Sequence, residues 1–174
     1  MKKEGIYMDV TLKGEAFQTN GSVPQIGDTA PSFEVKNINN ETVSLSDFEG
    51  DVLLISTFPD IETSTCSRQT DTFNKRAGEL KNTKIISISA NTVEQQKEWS
   101  QAKDMDTELL HDADRSFAKA YGLYIEDLDK VARAVFVVNR KGQVVYKEVV
   151  KEMAEDPNYE EALAAARHEE AELN

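Results

Sequence analysis

The chain has 174 residues, with 20 Lys and Arg against 32 Asp and Glu, a formal charge of -12 and a single cysteine. That length can build a sizeable core without disulfides or metals, and one cysteine rules out an intramolecular disulfide framework. The acidic balance, with no basic stripe, disfavours a phosphate-backbone partner, so no nucleic acid is expected. The opening MKKEGIYMDV lacks the apolar run of a secretory signal, and the longest purely apolar stretch, Val52 to Ile55, is too short to cross a bilayer. No membrane partner is expected, and a cytoplasmic location is the simplest reading.

One domain over 1–174 is expected, with 1–20 as an N-terminal hairpin and 167–174 as a solvated helical end. Ile6, Met8, Val10 and Leu12 alternate with the period of a half-buried strand, Gly14 interrupts them, and Ala16 to Gln18 can return. Asn20 to Pro31 is turn-rich, with Gly21, Pro24 and Gly27. Val52–Phe58, Lys84–Ala90 and Ala132–Val138 are short, nearly continuous apolar runs, the pattern of strands covered on both faces.

Helical patterns lie between these runs. Cys66, Thr70, Phe73, Ala77 and Leu80 share one face. Thr92 to Gln95 reads as a capping box that opens a helix through Trp99, and a shorter helix spans about Arg115 to Tyr121. Strand, helix, strand in this order implies a right-handed crossover. Asn139 to Gly142 reads as the turn of a hairpin returning through Gln143–Val149. Asp156 is expected to cap the last helix with Pro157 in its first position, and Tyr159, Ala162, Leu163 and Ala166 to form its inward stripe. The result is an α/β fold: a mixed sheet flanked by helices, thioredoxin-like, with an N-terminal β-hairpin.

Cys66 sits in the first turn of a helix that follows a buried strand by one short loop. Unpaired N–H groups and the helix dipole favour an anion there, and its place on the inward stripe faces it toward a pocket. An ordinary thiol, with a pKa of about 8.5, is only roughly 3 % ionised at neutral pH. Bringing a thiol to a pKa of about 6 takes about 3.4 kcal/mol of preferential thiolate stabilisation. A helix N-terminus typically supplies less, so a nearby cation is expected. A lone cysteine without such context is more often an inert small hydrophobe.

The loop reads Phe58-Pro59-Asp60-Ile61-Glu62-Thr63-Ser64-Thr65-Cys66, with Pro, three residues, Thr, two residues, Cys. Further along stand Gly27-Asp28-x-Ala30-Pro31-x-Phe33, Tyr121-Gly122, Ala132-Arg133-Ala134-Val135-Phe136-Val137-Val138 and Pro157-x-Tyr159-x-x-Ala162-Leu163. These segments resemble the peroxiredoxin family, and the Pro-x-Ile-acid-Thr form of the loop is similar to its thiol peroxidase branch. The match covers nearly the whole chain, loosest between Gln95 and Asp106.

The resemblance implies Cys66 as the peroxide-reactive sulfur and Arg133 as the cation beside it. Thr63 would serve as a hydroxyl partner to sulfur and peroxide, and Pro59 would fix the loop and shield the sulfur from water. It implies a hydroperoxide substrate, thioredoxin or a small thiol as reductant, a sulfenic acid intermediate, a homodimer, and no cofactor or metal. His111, in an acidic loop, and His168, in the hydrophilic tail, are expected at the surface.

Three positions depart from the family pattern: mildly Glu62, for the commoner aspartate, and Ser64, for a frequent glycine, and more consequentially position 100. Ser100 stands where a resolving cysteine is expected, and serine forms no disulfide. A one-cysteine peroxidase drawing on an external thiol, a peroxide sensor that turns over poorly, and an engineered exchange at 100 all fit that departure. A peroxide-sensing or binding module with the same fold is the alternative to an enzyme. A dithiol oxidoreductase is disfavoured, because Thr63 occupies the first position of a Cys-x-x-Cys pair.

Overall fold

The computed structural model describes residues 8–102 and 108–172. Ile6 of the opening alternation, part of the weakest-matching stretch, and the last two residues of the expected solvated end lie outside that range. The elements in chain order are β1 (Asp9–Leu12), β2 (Glu15–Gln18), β3 (Glu34–Asn37), β4 (Thr42–Ser44), β5 (Val52–Thr57), α1 (Ser64–Arg76), β6 (Thr83–Ser89) and α2 (Val93–Ala102). They continue as β7 (Leu109–His111), α3 (Ser116–Ala120), β8 (Tyr124–Ile125), β9 (Lys130–Val131), β10 (Ala134–Val138), β11 (Val144–Val149) and α4 (Tyr159–Ala171). No helix among the described residues is long and apolar enough to cross a membrane.

Seven strands form one mixed sheet in the order β11-β10-β5-β6-β7-β3-β4. β5, β6 and β7 are parallel, whereas β10 runs antiparallel to both β5 and β11. All six residues of β5 are buried, as its continuous apolar run predicts for a central strand covered on both faces. Val52 and Leu54 meet Phe73 of α1 and Ala162, Leu163 and Ala166 of α4. Leu53 and Ile55 point the other way, into a cluster with Phe33, Phe117, Tyr121 and Phe136.

The capping box of α2 forms in both directions: the Thr92 N–H donates to Gln95 Oε1 at 3.0 Å, and the Gln95 N–H donates to Thr92 Oγ1 at 3.1 Å. Gly122 has a φ of +70°, and a Cβ there would lie 2.3 Å from the Ser22 carbonyl oxygen, so the turn after α3 requires glycine.

The start of α4 differs from the sequence expectation. Its cap is Asn158, whose side chain accepts from the Glu161 N–H at 3.0 Å, and Pro157 precedes the cap. The Asp156 carboxylate is engaged elsewhere: Arg68 of α1 clamps it through Nε at 3.0 Å and Nη2 at 2.9 Å, and the Tyr159 hydroxyl donates to it at 2.8 Å.

The N-terminal hairpin turns at Lys13-Gly14, both at positive φ, in the two-residue form that matches strand twist. It docks through Glu152, whose carboxylate accepts from the N–H groups of Lys13 (3.0 Å), Gly14 (2.8 Å) and Ala154 (2.8 Å) and from Thr11 Oγ1 (3.0 Å). The hydrogen bonds from Ala154, Gly14 and Lys13 hold its pKa at about 2, below the ordinary 4.5. A depressed folded-state pKa contributes stability that is complete above 4.5 and lost as pH falls toward about 2. Protection factors of the Lys13, Gly14 and Ala154 amides are therefore expected to fall across that acidic window, and Glu152→Gln to lower them already at neutral pH. Amides equally protected in wild type and Glu152→Gln would contradict this docking role.

Candidate active site

β5 ends at Thr57, and the chain runs on through Phe58 and Pro59, both buried, into a tight turn. The Asp60 carbonyl accepts twice from Thr63, from its N–H at 3.0 Å and from its hydroxyl at 2.9 Å. Thr63 is the N-cap of α1, with extended backbone, and its Oγ1 accepts from the Cys66 N–H at 3.4 Å. The single Thr63 proton is thus given to Asp60 rather than to sulfur, and the threonine serves as a helix cap. Cys66 occupies the third residue of α1, where backbone N–H groups lack helical partners.

Cys66 is 0 % exposed. It packs among Phe58, Ile61, Trp99 and Leu109, with Ile38 against them. The expectation of a sulfur facing a pocket is corrected to one sealed under apolar side chains. The loop after β5 brings Ile61 into this cluster, while α2 brings in Trp99. The Trp99 indole N–H donates to Ser67 Oγ at 2.9 Å, tying α2 to the residue after the cysteine.

The antiparallel register of β10 on β5 sets Ala134 opposite Thr57, so Arg133 arrives beside the loop that leaves β5. Arg133 is 2 % exposed, and its guanidinium spans three partners: Nη2 to Cys66 Sγ at 3.1 Å, Nη1 to Gln69 Oε1 at 2.7 Å, and Nε to the Met153 carbonyl at 2.9 Å. Gln69 is itself fixed, donating from Nε2 to Ser56 Oγ at 2.7 Å and to the Thr57 carbonyl at 3.1 Å. Among the described residues no carboxylate forms an ion pair with Arg133. The guanidinium lies directly against the sulfur, and the Asp156 carboxylate is near enough to feel its charge. Among the described residues these bonds use three of the five guanidinium N–H groups.

Gln69 was not singled out in the sequence, although a signal was present: it lies three residues after Cys66 and is thus close to the sulfur on the helix. Met153 was also missed, because its contribution is a backbone carbonyl. Ser100 lies on α2 beside Trp99 and is 8 % exposed, so it is a buried serine rather than a surface one. His111 is corrected too: it ends β7, half-buried, with Nδ1 2.6 Å from the Asn91 carbonyl. His168 is exposed, near Glu172. No cluster of acidic, histidine or cysteine side chains suited to a metal occurs among the described residues.

Residues 26–147 match the AhpC/TSA family. The chain is 44% identical over 160 residues to a thiol peroxidase of Listeria innocua, covering 91% of this chain and 97% of that one. It is 40% identical to a thiol peroxidase of Bacillus subtilis, covering 91% and 96% of the two chains. A solved peroxiredoxin-like protein from Aquifex aeolicus superposes with a TM-score of 0.87 at 25% identity, over 94% of this chain and 99% of that chain.

Proposed function

The chain belongs to the AhpC/TSA family, in the thiol peroxidase branch of the peroxiredoxins, and from that premise we propose that it reduces hydroperoxides at Cys66 with a thiol as electron source. The observation that carries the proposal is the buried Arg133, with its guanidinium 3.1 Å from Cys66 Sγ.

The Cys66 thiolate attacks one oxygen of the peroxide in line with the O–O bond. An S–O bond forms as O–O breaks, and the departing oxygen takes a proton and leaves as alcohol or water. Sulfur is oxidised by two electrons to a sulfenic acid. The Arg133 guanidinium stabilises charge on the oxygens, as does the Thr63 hydroxyl once it turns from Asp60. Pro59 keeps water from the sulfur. Two equivalents of external thiol then return Cys66 to the thiol, releasing water and a disulfide. Thioredoxin or a small thiol fills that role, because Ser100 supplies no internal resolving sulfur. No metal or organic cofactor enters any step, and the working form is a homodimer.

Reduced protein mixed with one equivalent of cumene hydroperoxide is expected to gain one oxygen rapidly by intact mass, and Cys66→Ala to gain none. Regeneration on adding thioredoxin or a small thiol supports the peroxidase. A sulfenic acid that persists with both favours the sensor reading, to which the serine at 100 also points. No fast oxidation would leave a binding module, and a monomer by light scattering at micromolar concentration would exclude the dimer.

A further inference from the structure

We propose that Asn91, just after β6, is the positioning residue of this site. Its amide latches the loop before α1 so that Thr63 and Cys66 are presented together. The inference rests on peroxide reduction at Cys66.

All four hydrogen-bonding positions of the Asn91 amide are filled. Oδ1 accepts from the Ile61 N–H at 2.7 Å and from Ser89 Oγ at 3.0 Å. Nδ2 donates to Asp60 Oδ1 at 2.9 Å and to Gln95 Oε1 at 3.1 Å. The side chain therefore joins three pieces: the end of β6, the first turn of α2, and the loop leaving β5. Gln95 adds a second stitch, donating from Nε2 to Glu62 Oε1 at 2.6 Å.

The latched residues lead directly to the chemistry. Asp60 holds Thr63 through its carbonyl, Thr63 caps the helix at the Cys66 N–H, and Ile61 packs in the buried cluster around Cys66. Asn91 touches none of the reacting atoms, so its effect passes through Asp60, Ile61 and Thr63. Such a sealed, multiply bonded loop holds the reactive geometry, while freeing it would expose the sulfur and blur the alignment. Misplacement of about 1 Å costs up to about a hundredfold in rate.

The charges around the latch favour an amide over a carboxylate at 91. Asp60 faces Nδ2 and has Lys130 Nζ at 3.5 Å; Glu62 lies behind Gln95; His111 bonds the Asn91 carbonyl. Burial alone would raise the Asp60 pKa, but hydrogen bonds from Asn91 and the Glu62 N–H, with Lys130 beside it, hold it below its ordinary value. An aspartate at 91 would set two carboxylates against each other until one took up a proton.

The test measures two rates on the full chain for wild type, Asn91→Ala and Asn91→Asp: Cys66 oxidation by cumene hydroperoxide and Cys66 alkylation by iodoacetamide. Asn91→Ala is expected to lose about tenfold or more in the peroxide rate while alkylation rises, because the sulfur is uncovered but misaligned. Asn91→Asp is expected to show a peroxide deficit relative to wild type at neutral pH that shrinks on mild acidification. It carries the test if the alanine variant does not fold. Peroxide and alkylation rates that fall together, a peroxide rate unchanged in Asn91→Ala, or an Asn91→Asp deficit independent of pH would each overturn the latch. A wild-type protein that alkylates but does not react rapidly with peroxide would instead overturn the function beneath it.

Discussion

Arg133→Met is expected to slow peroxide attack at Cys66 by about 10²- to 10³-fold, equivalent to about 2.7–4 kcal/mol of transition-state stabilisation. Attack on the O–O bond develops charge on two oxygens inside an apolar enclosure, where a fixed guanidinium is worth far more than in water. Methionine fills a similar volume and relieves the cost of a buried cation, which offsets the loss of hydrogen bonds to Gln69 Oε1 and the Met153 carbonyl. The rate should therefore fall much further than the stability. Arg133→Lys separates charge from shape: an ammonium cannot reach Sγ, Gln69 and Met153 at once, so it should recover only part of the loss. Stopped-flow oxidation beside chemical denaturation measures both quantities, and equal peroxide rates in wild type and Arg133→Met would remove Arg133 from the mechanism.

Phe136→Ala is expected to cost about 3–5 kcal/mol of folding stability, a large share of the margin of an ordinary domain. Phe136 is 0 % exposed at the middle of β10, pairing with Ile55 on β5 and with Lys147 on β11. Its ring meets Tyr121 edge-on at 5.5 Å, and Tyr121 stacks on Phe117 at 4.4 Å, so truncation opens a cavity beneath α3. The strand cannot close over that gap without moving Arg133, three residues earlier. A drop in the urea midpoint with an unchanged slope is the expected signature, and a shift below about 1 kcal/mol would show that the cluster repacks.

Much of this molecule was legible before its coordinates. The central strands announced themselves because continuous runs of branched apolar residues suit only a sheet covered on both faces. The α2 capping box and the α4 stripe were readable because helix termini and faces obey short-range rules. β3, β4 and β7 were not: each has three or four residues with mixed burial, such as Glu34–Asn37, too short for periodicity to register. The cap of α4 was misplaced by two residues because Asp156 and Asn158 are both good caps, and Asp156 is drawn instead to distant Arg68 and to Tyr159.

For the site, the order of the chain by itself determined that a cysteine follows a buried strand, sits in the first turn of a helix and has a threonine three residues before it. These are local relations, set by backbone geometry within a few residues. Tertiary structure decided which polar groups became buried partners. The β5–β10 register carries Arg133 across 67 residues to the sulfur, Gln69 is held by Ser56 and Thr57, and Asn91 crosses 30 residues to reach Ile61. Glutamine and asparagine read as surface residues in any one-dimensional pattern, since their burial becomes favourable only when folding brings every donor and acceptor a partner.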